Sequence, residues 1–97
     1  MKGYWLVLGS AVTDPAAREK YAALWAPIAE FYGARVLPVG SSVDLREGTS
    51  IARCLLVEFP TIQAARDCYA DPSYQTAKDF ALAASDRILV IIEGDIP

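Results

Sequence analysis

The chain has 97 residues, 54% of them hydrophobic, and nine Lys plus Arg against twelve Asp plus Glu give it a net charge of −3. Its basic residues are scattered singly, not gathered into the concentrated footprint that nucleic-acid binding uses, which sets that class aside. It contains no His and no Asn, so imidazole catalysis, His-ligated zinc and the usual proximal haem ligand are excluded as well.

Tyr4 to Ser10 is rich in aromatic and branched residues and reads as the first strand. Lys2 ahead of this run loosely mimics a secretion signal. Gly9 and Ser10 interrupt it, however, and the stretch is expected to stay as a central strand. Asp14-Pro15 is a helix start, with Asp14 as N-cap and Pro15 at the first helical position. Ala17, Tyr21, Leu24, Trp25, Ile28, Phe31 and Tyr32 then form a stripe of helical period that Gly33 closes. Pro27, inside this stripe, predicts a kink near Ala23 to Trp25.

Ala34 to Gly40 reads as the second strand, and Pro38 confines it to a sheet edge. Ser41 to Ser50 is a polar hairpin loop, and Ile51 to Phe59 is the third strand. Thr61 caps a second helix with Ala64, Ala65, Cys68 and Tyr69 on one face. Asp71-Pro72 repeats the start signal and opens a third helical segment with Tyr74, Ala77, Phe80, Ala81 and Ala84 inward. Ile88 to Glu93 is the fourth strand; its aliphatic run, Ile88 to Ile92, is far shorter than the ~20 residues of a membrane span.

The order strand–helix–strand, twice over, predicts an α+β fold of ferredoxin-like βαββαβ topology. Its four-stranded antiparallel sheet has the order 4-1-3-2, helices on one face, and a second helical region broken at Asp71-Pro72. Residues 1–97 are expected to form a single such domain. Cys54 and Cys68 are too few and too far apart for a metal cluster or a disulfide framework, and read as buried thiols of a cytoplasmic protein. No metal and no cofactor is expected.

A sheet with helices on one face should alternate apolar and polar residues. Here Tyr4, Leu6 and Leu8 alternate with Trp5 and Val7, and Leu55, Val57 and Phe59 alternate with Cys54 and Leu56. Ile88, Val90 and Ile92 alternate with Leu89 and Ile91. Both faces are apolar, which predicts that a second copy covers the free face as a homodimer.

Gly3-Tyr4-Trp5, Asp14-Pro15, Tyr32-Gly33-Ala34-Arg35, Glu47-Gly48, Glu58-Phe59-Pro60, Asp71-Pro72-Ser73-Tyr74-Gln75 and Glu93-Gly94 stand in the order and spacing of one family. The chain resembles, from Gly3 to Gly94, a family of small, mostly bacterial proteins described as a domain of unknown function within the dimeric α+β barrel superfamily. The resemblance implies a ferredoxin-like protomer and a sheet-to-sheet dimer, and it implies no activity. Members often carry an Arg after the Tyr-Gln motif, where this chain has Ala81, so an anion site built on that Arg is not expected here.

Candidate site residues follow from residue chemistry. Arg35 and Arg53, on neighbouring strands, are expected to face one cleft and hold a carboxylate through paired hydrogen bonds. Tyr21 and Tyr74, on inward helix stripes, are expected to line a ligand pocket. Glu58, at the end of an apolar strand, is the candidate catalytic proton-transfer base. These residues predict a small organic ligand, with a carboxylate as one form, in a pocket between sheet and helices. The alternatives are a cofactor-independent isomerase or oxygenase working through Glu58 or a Tyr, and a structural dimer without a ligand.

Overall fold

A computed structural model describes residues 1–37 and 42–96. The elements are β1 (Lys2–Gly9), α1 (Pro15–Tyr32), β2 (Arg35–Leu37), β3 (Arg53–Phe59), α2 (Ile62–Ala70), α3 (Pro72–Ala84) and β4 (Arg87–Gly94). They form one antiparallel sheet in the order β2-β3-β1-β4. This is the expected order read from the other edge.

The local signals act where they stand in the sequence. The Asp14 carboxylate accepts the Ala17 N–H at 3.1 Å and caps α1. The helix is continuous across Pro27 and ends at Gly33, whose φ of 67° lets its N–H turn back to the carbonyls of Ala29 and Glu30. Thr61 Oγ1 accepts the Ala64 N–H at 3.0 Å to cap α2. Asp71 accepts the Ser73 N–H at 2.7 Å to cap α3 and also receives the Tyr32 hydroxyl, which ties the end of α1 to the α2–α3 break. That bond raises the Tyr32 phenol to about 12, with burial and the Asp71 charge adding to it, and lowers the Asp71 carboxyl.

Strand limits shift slightly from the expected ones. β3 starts at Arg53 and not at Ile51; the chain passes through a left-handed φ of 62° at Ser50, three residues earlier. β1 ends at Gly9, one residue short of Ser10, although the Ser10 N–H still donates to the Asp86 carbonyl at 2.8 Å just beyond the last pair, Gly9 and Arg87. β2 is described only as Arg35–Leu37, at the sheet edge as expected; Pro38 and the rest of the expected strand, to Gly40, lie outside the described residues.

The core lies between the sheet and the helices, with Trp5 at its centre. Its ring packs against Phe59 at 5.0 Å, Tyr74 at 5.0 Å, Trp25 at 5.4 Å and Tyr69 at 5.8 Å between centroids. Its Nε1 donates to the Ala65 carbonyl at 3.0 Å, so the indole buries no unpaired polar atom.

The other sheet face carries Leu8 opposite Ile88, Leu6 opposite Val90 and Tyr4 opposite Ile92. The C-terminal segment crosses only one end of it. Ile96 N–H donates to the Tyr4 hydroxyl at 2.9 Å, and Tyr4 is fully buried beneath it. Ile88, Val90 and Ile92 stay 56%, 42% and 39% exposed.

Candidate functional site

A cavity of about 380 Å³ opens between the helical face of the sheet and α1. Trp5, Val7, Val57, Leu55 and Val36 form its apolar floor, and Arg18, Tyr21, Ala22 and Trp25 of α1 form one wall. The far end is closed by Ala81, Ala84, Ser85 and Arg87. The α1 residues fall at positions 18, 21, 22 and 25, one face of a helix.

Strand register builds the polar end. Gly9 pairs with Arg53 of β3 on one side and with Arg87 of β4 on the other, so the two arginines flank a glycine in one row on the helical face. A Cβ on Gly9 would lie 3.0 Å from Arg53 Nη2, so the glycine leaves the space in which the guanidinium lies across β1. Arg53 Nε donates to the Ser10 carbonyl at 2.9 Å and Nη2 to the buried Ser85 hydroxyl at 2.8 Å. Arg87 Nη2 donates to the Tyr74 hydroxyl at 2.7 Å, and its guanidinium lies over the Tyr21 ring, 5.3 Å from the centroid. The Tyr21 and Tyr74 hydroxyls are 3.3 Å apart.

The electrostatics of this end are one-sided. Among the described residues, the ion pairs are Lys2 and Arg35 with Glu58, and Arg46 with Asp44; Arg18, Arg53 and Arg87 are in none. Burial lowers the Arg53 pKa, and the positive charges of Arg18 and Arg87 lower it further. Burial also acts to lower the Arg87 pKa, but the Tyr74 and Tyr21 phenols outweigh it and the net shift is upward. Burial pushes the Tyr74 phenol well above its ordinary range, with Tyr21 adding to this and Arg87 opposing it.

The expected site residues therefore divide. Arg53 and Tyr21 line the cavity. Tyr74 is fully buried behind the lining and reaches it through Tyr21 and Arg87. Arg35 and Arg53 do not share a cleft. Arg35 pairs in register with Glu58, on the opposite sheet face from Arg53, and its guanidinium binds that carboxylate at 3.2 Å. Glu58 points away from the cavity and also pairs with Lys2 at 3.3 Å, which removes it as a proton base for a ligand held there. Strand parity is the reason: residues 35 and 58 face one side and residue 53 the other. Arg18 and Arg87 were not among the expected residues. Arg18 was legible from its spacing to Tyr21 and Trp25, whereas Arg87 needed the register across Gly9.

The fold and this cavity define a ferredoxin-like α+β protein with a cationic, aromatic-walled pocket on the helical face. The chain belongs to the family described as Domain of unknown function (DUF1330), whose model matches residues 2–95. No curated protein shows a significant sequence match. Among solved structures, it is similar to RPA0582, a protein of unknown function from Rhodopseudomonas palustris, at 23% identity and TM-score 0.69, over 99% of this chain and 84% of that one. A dimeric ferredoxin-like protein of unknown function from Jannaschia sp. CCS1 aligns at 16% identity and TM-score 0.63, over 97% of this chain and 100% of that one. SnoaB, a cofactor-independent oxygenase from Streptomyces nogalater, aligns at 15% identity and TM-score 0.58, over 99% of this chain and 95% of that one. These likenesses establish the fold.

Proposed function

We propose that the protein is a homodimer that binds a small aromatic or otherwise apolar carboxylate in the cavity of each protomer. The observation that carries this reading is the gathering of Arg18, Arg53 and Arg87 at one cavity without a carboxylate partner among the described residues, in a chain of net charge −3. Arg53 and Arg87 are half-buried and Arg18 stands exposed beside them, and gathering these like charges at one cavity costs free energy that an anionic ligand offsets. The aromatic wall of Trp5, Tyr21 and Trp25 fits the apolar body of the same molecule. A ligand carboxylate would accept from Arg53 and Arg18 while its ring lies against Trp25.

The dimer covers the face left by Ile88, Val90 and Ile92, and the dimeric state of the Jannaschia neighbour supports it. The free thiols of Cys54 and Cys68 support a reducing, cytoplasmic setting. Among the described residues, no helix is long and apolar enough to cross a membrane. An isomerase or oxygenase reading has the SnoaB likeness behind it, but among the described residues the cavity lining includes no carboxylate and Glu58 faces the other way, which leaves it only the Tyr21 phenol as a proton relay.

Thermal unfolding with and without benzoate tests the site. A ligand at one hundred times its Kd stabilises by about 2.7 kcal/mol, a rise of roughly ten degrees or more for a domain of this size. An unchanged melting temperature across benzoate, phenylacetate and short aliphatic carboxylates contradicts the reading.

A further inference from the structure

Three groups beside the cavity are linked in a row, and their burial fixes the direction of the link. The Arg87 guanidinium has donors and no acceptor, so at 2.7 Å the Tyr74 oxygen must accept from it. The Tyr74 proton then has one partner among the described residues, the Tyr21 oxygen at 3.3 Å. Tyr74 is fully buried, and a buried hydroxyl left without an acceptor costs far more than one that can reach a cavity. Tyr74 therefore donates to Tyr21. The Tyr21 proton is the one left over, on a half-buried ring that lines the cavity.

We propose that Arg87, Tyr74 and Tyr21 form a one-way chain of hydrogen-bond donation that ends on an oxygen of the bound carboxylate. This rests on the carboxylate reading of the cavity and adds its selectivity. The guanidinium polarises Tyr74, Tyr74 polarises Tyr21, and successive donation strengthens the last bond. The site accordingly takes a ligand oxygen that accepts, and Tyr74 is a positioning residue that acts through Tyr21 without touching the ligand. The Arg87 charge over the Tyr21 ring holds that ring in place.

Quenching of the fluorescence of Trp5 and Trp25, both of which line the cavity, measures binding of benzoate and of toluene, which has the same ring and no acceptor oxygen. Tyr21→Phe should weaken benzoate by at least roughly tenfold, the effect of one hydrogen bond to a charged acceptor, and Tyr74→Phe by a smaller factor, because it removes only the polarisation of that bond. The double variant should be no weaker than Tyr21→Phe alone, because Tyr74 works only through Tyr21. Toluene binding should be unchanged in all of them. Circular dichroism melts confirm that each variant folds. If Tyr74→Phe does not fold, Arg87→Met breaks the same chain at its other end: it should weaken benzoate by a larger factor in the wild type than in the Tyr21→Phe background, where only the direct loss of its charge at the cavity remains, and equal factors in the two backgrounds overturn the chain. Single effects that multiply in the double variant, or an equal loss of toluene, overturn the chain while leaving the carboxylate site standing. Wild-type protein that binds no benzoate overturns both.

Discussion

Arg53 shows how a single residue was half legible. Its type and its place in a strand mark it as an anion-binding candidate, and the cavity holds it. Its partner was misassigned, because neighbouring strands do not reveal which residues share a face until the register is known. Arg35 pairs with Glu58, and Arg53 pairs with Gly9 on the other side of the sheet. Glu58 stood out for lying in an apolar strand, and the structure gives it a plainer task, receiving Lys2 and Arg35 on the opposite face. Tyr32 and Asp71 give a prediction at this scale. The Tyr32 hydroxyl holds the Asp71 carboxyl below its ordinary value, so the folded state favours the carboxylate. That stabilisation is present at neutral pH and is lost as pH falls through the lowered folded value. Tyr32→Phe should therefore lower the melting temperature at pH 7, and the gap to the wild type should narrow under acid conditions. A gap that stays constant down to the acid limit of folding contradicts this.

Elements with local signals were readable in full. Asp14-Pro15, Thr61 and Asp71-Pro72 each place a cap oxygen against a backbone N–H a few residues on, and the chain needs no distant contact to obey them. The strand ends were less readable. The left-handed backbone at Ser50 ahead of β3 has no compositional mark, and nothing in the letters separates Gly9 from Ser10 as the end of β1. Arg87 was hidden for a similar reason: it opens β4 one residue before the apolar run and meets the cavity only because β1 runs between it and Arg53. Asp14→Ala should remove the bond to Ala17 and cost about 1 kcal/mol, the usual value of a helix cap. Denaturant unfolding should show a lower midpoint with an unchanged slope. A midpoint equal to the wild type's would show that tertiary packing alone holds the start of α1.

At the scale of the molecule, the surplus of hydrophobic residues has two locations. One is the core around Trp5. The other is the free sheet face, where the C-terminal segment covers Tyr4 and leaves Ile88, Val90 and Ile92 open. The pattern of both faces was visible in the letters, since β1, β3 and β4 are apolar at odd and even positions alike. How far the tail reaches was not, because it depends on one hydroxyl pairing with the backbone of Ile96. Val90, at the middle of the open stretch, tests the homodimer. Val90→Lys should leave the fold intact, since the side chain is already 42% exposed, and should convert a dimer to a monomer in sedimentation velocity. A wild type that sediments as a monomer at micromolar concentration contradicts the assembly.

The same sheet carries an open apolar face, proposed to take a second copy, and on its reverse a row of arginines proposed to hold an anion, and the anion site is the central claim. Isothermal titration of benzoate into the wild-type protein and into Arg53→Met tests it most directly. Saturable binding with one site per protomer is expected in the wild type, and an affinity at least roughly tenfold lower in the variant, the loss of a charge-assisted pair. Equal affinities in the two proteins, or no saturable heat in either, would contradict it.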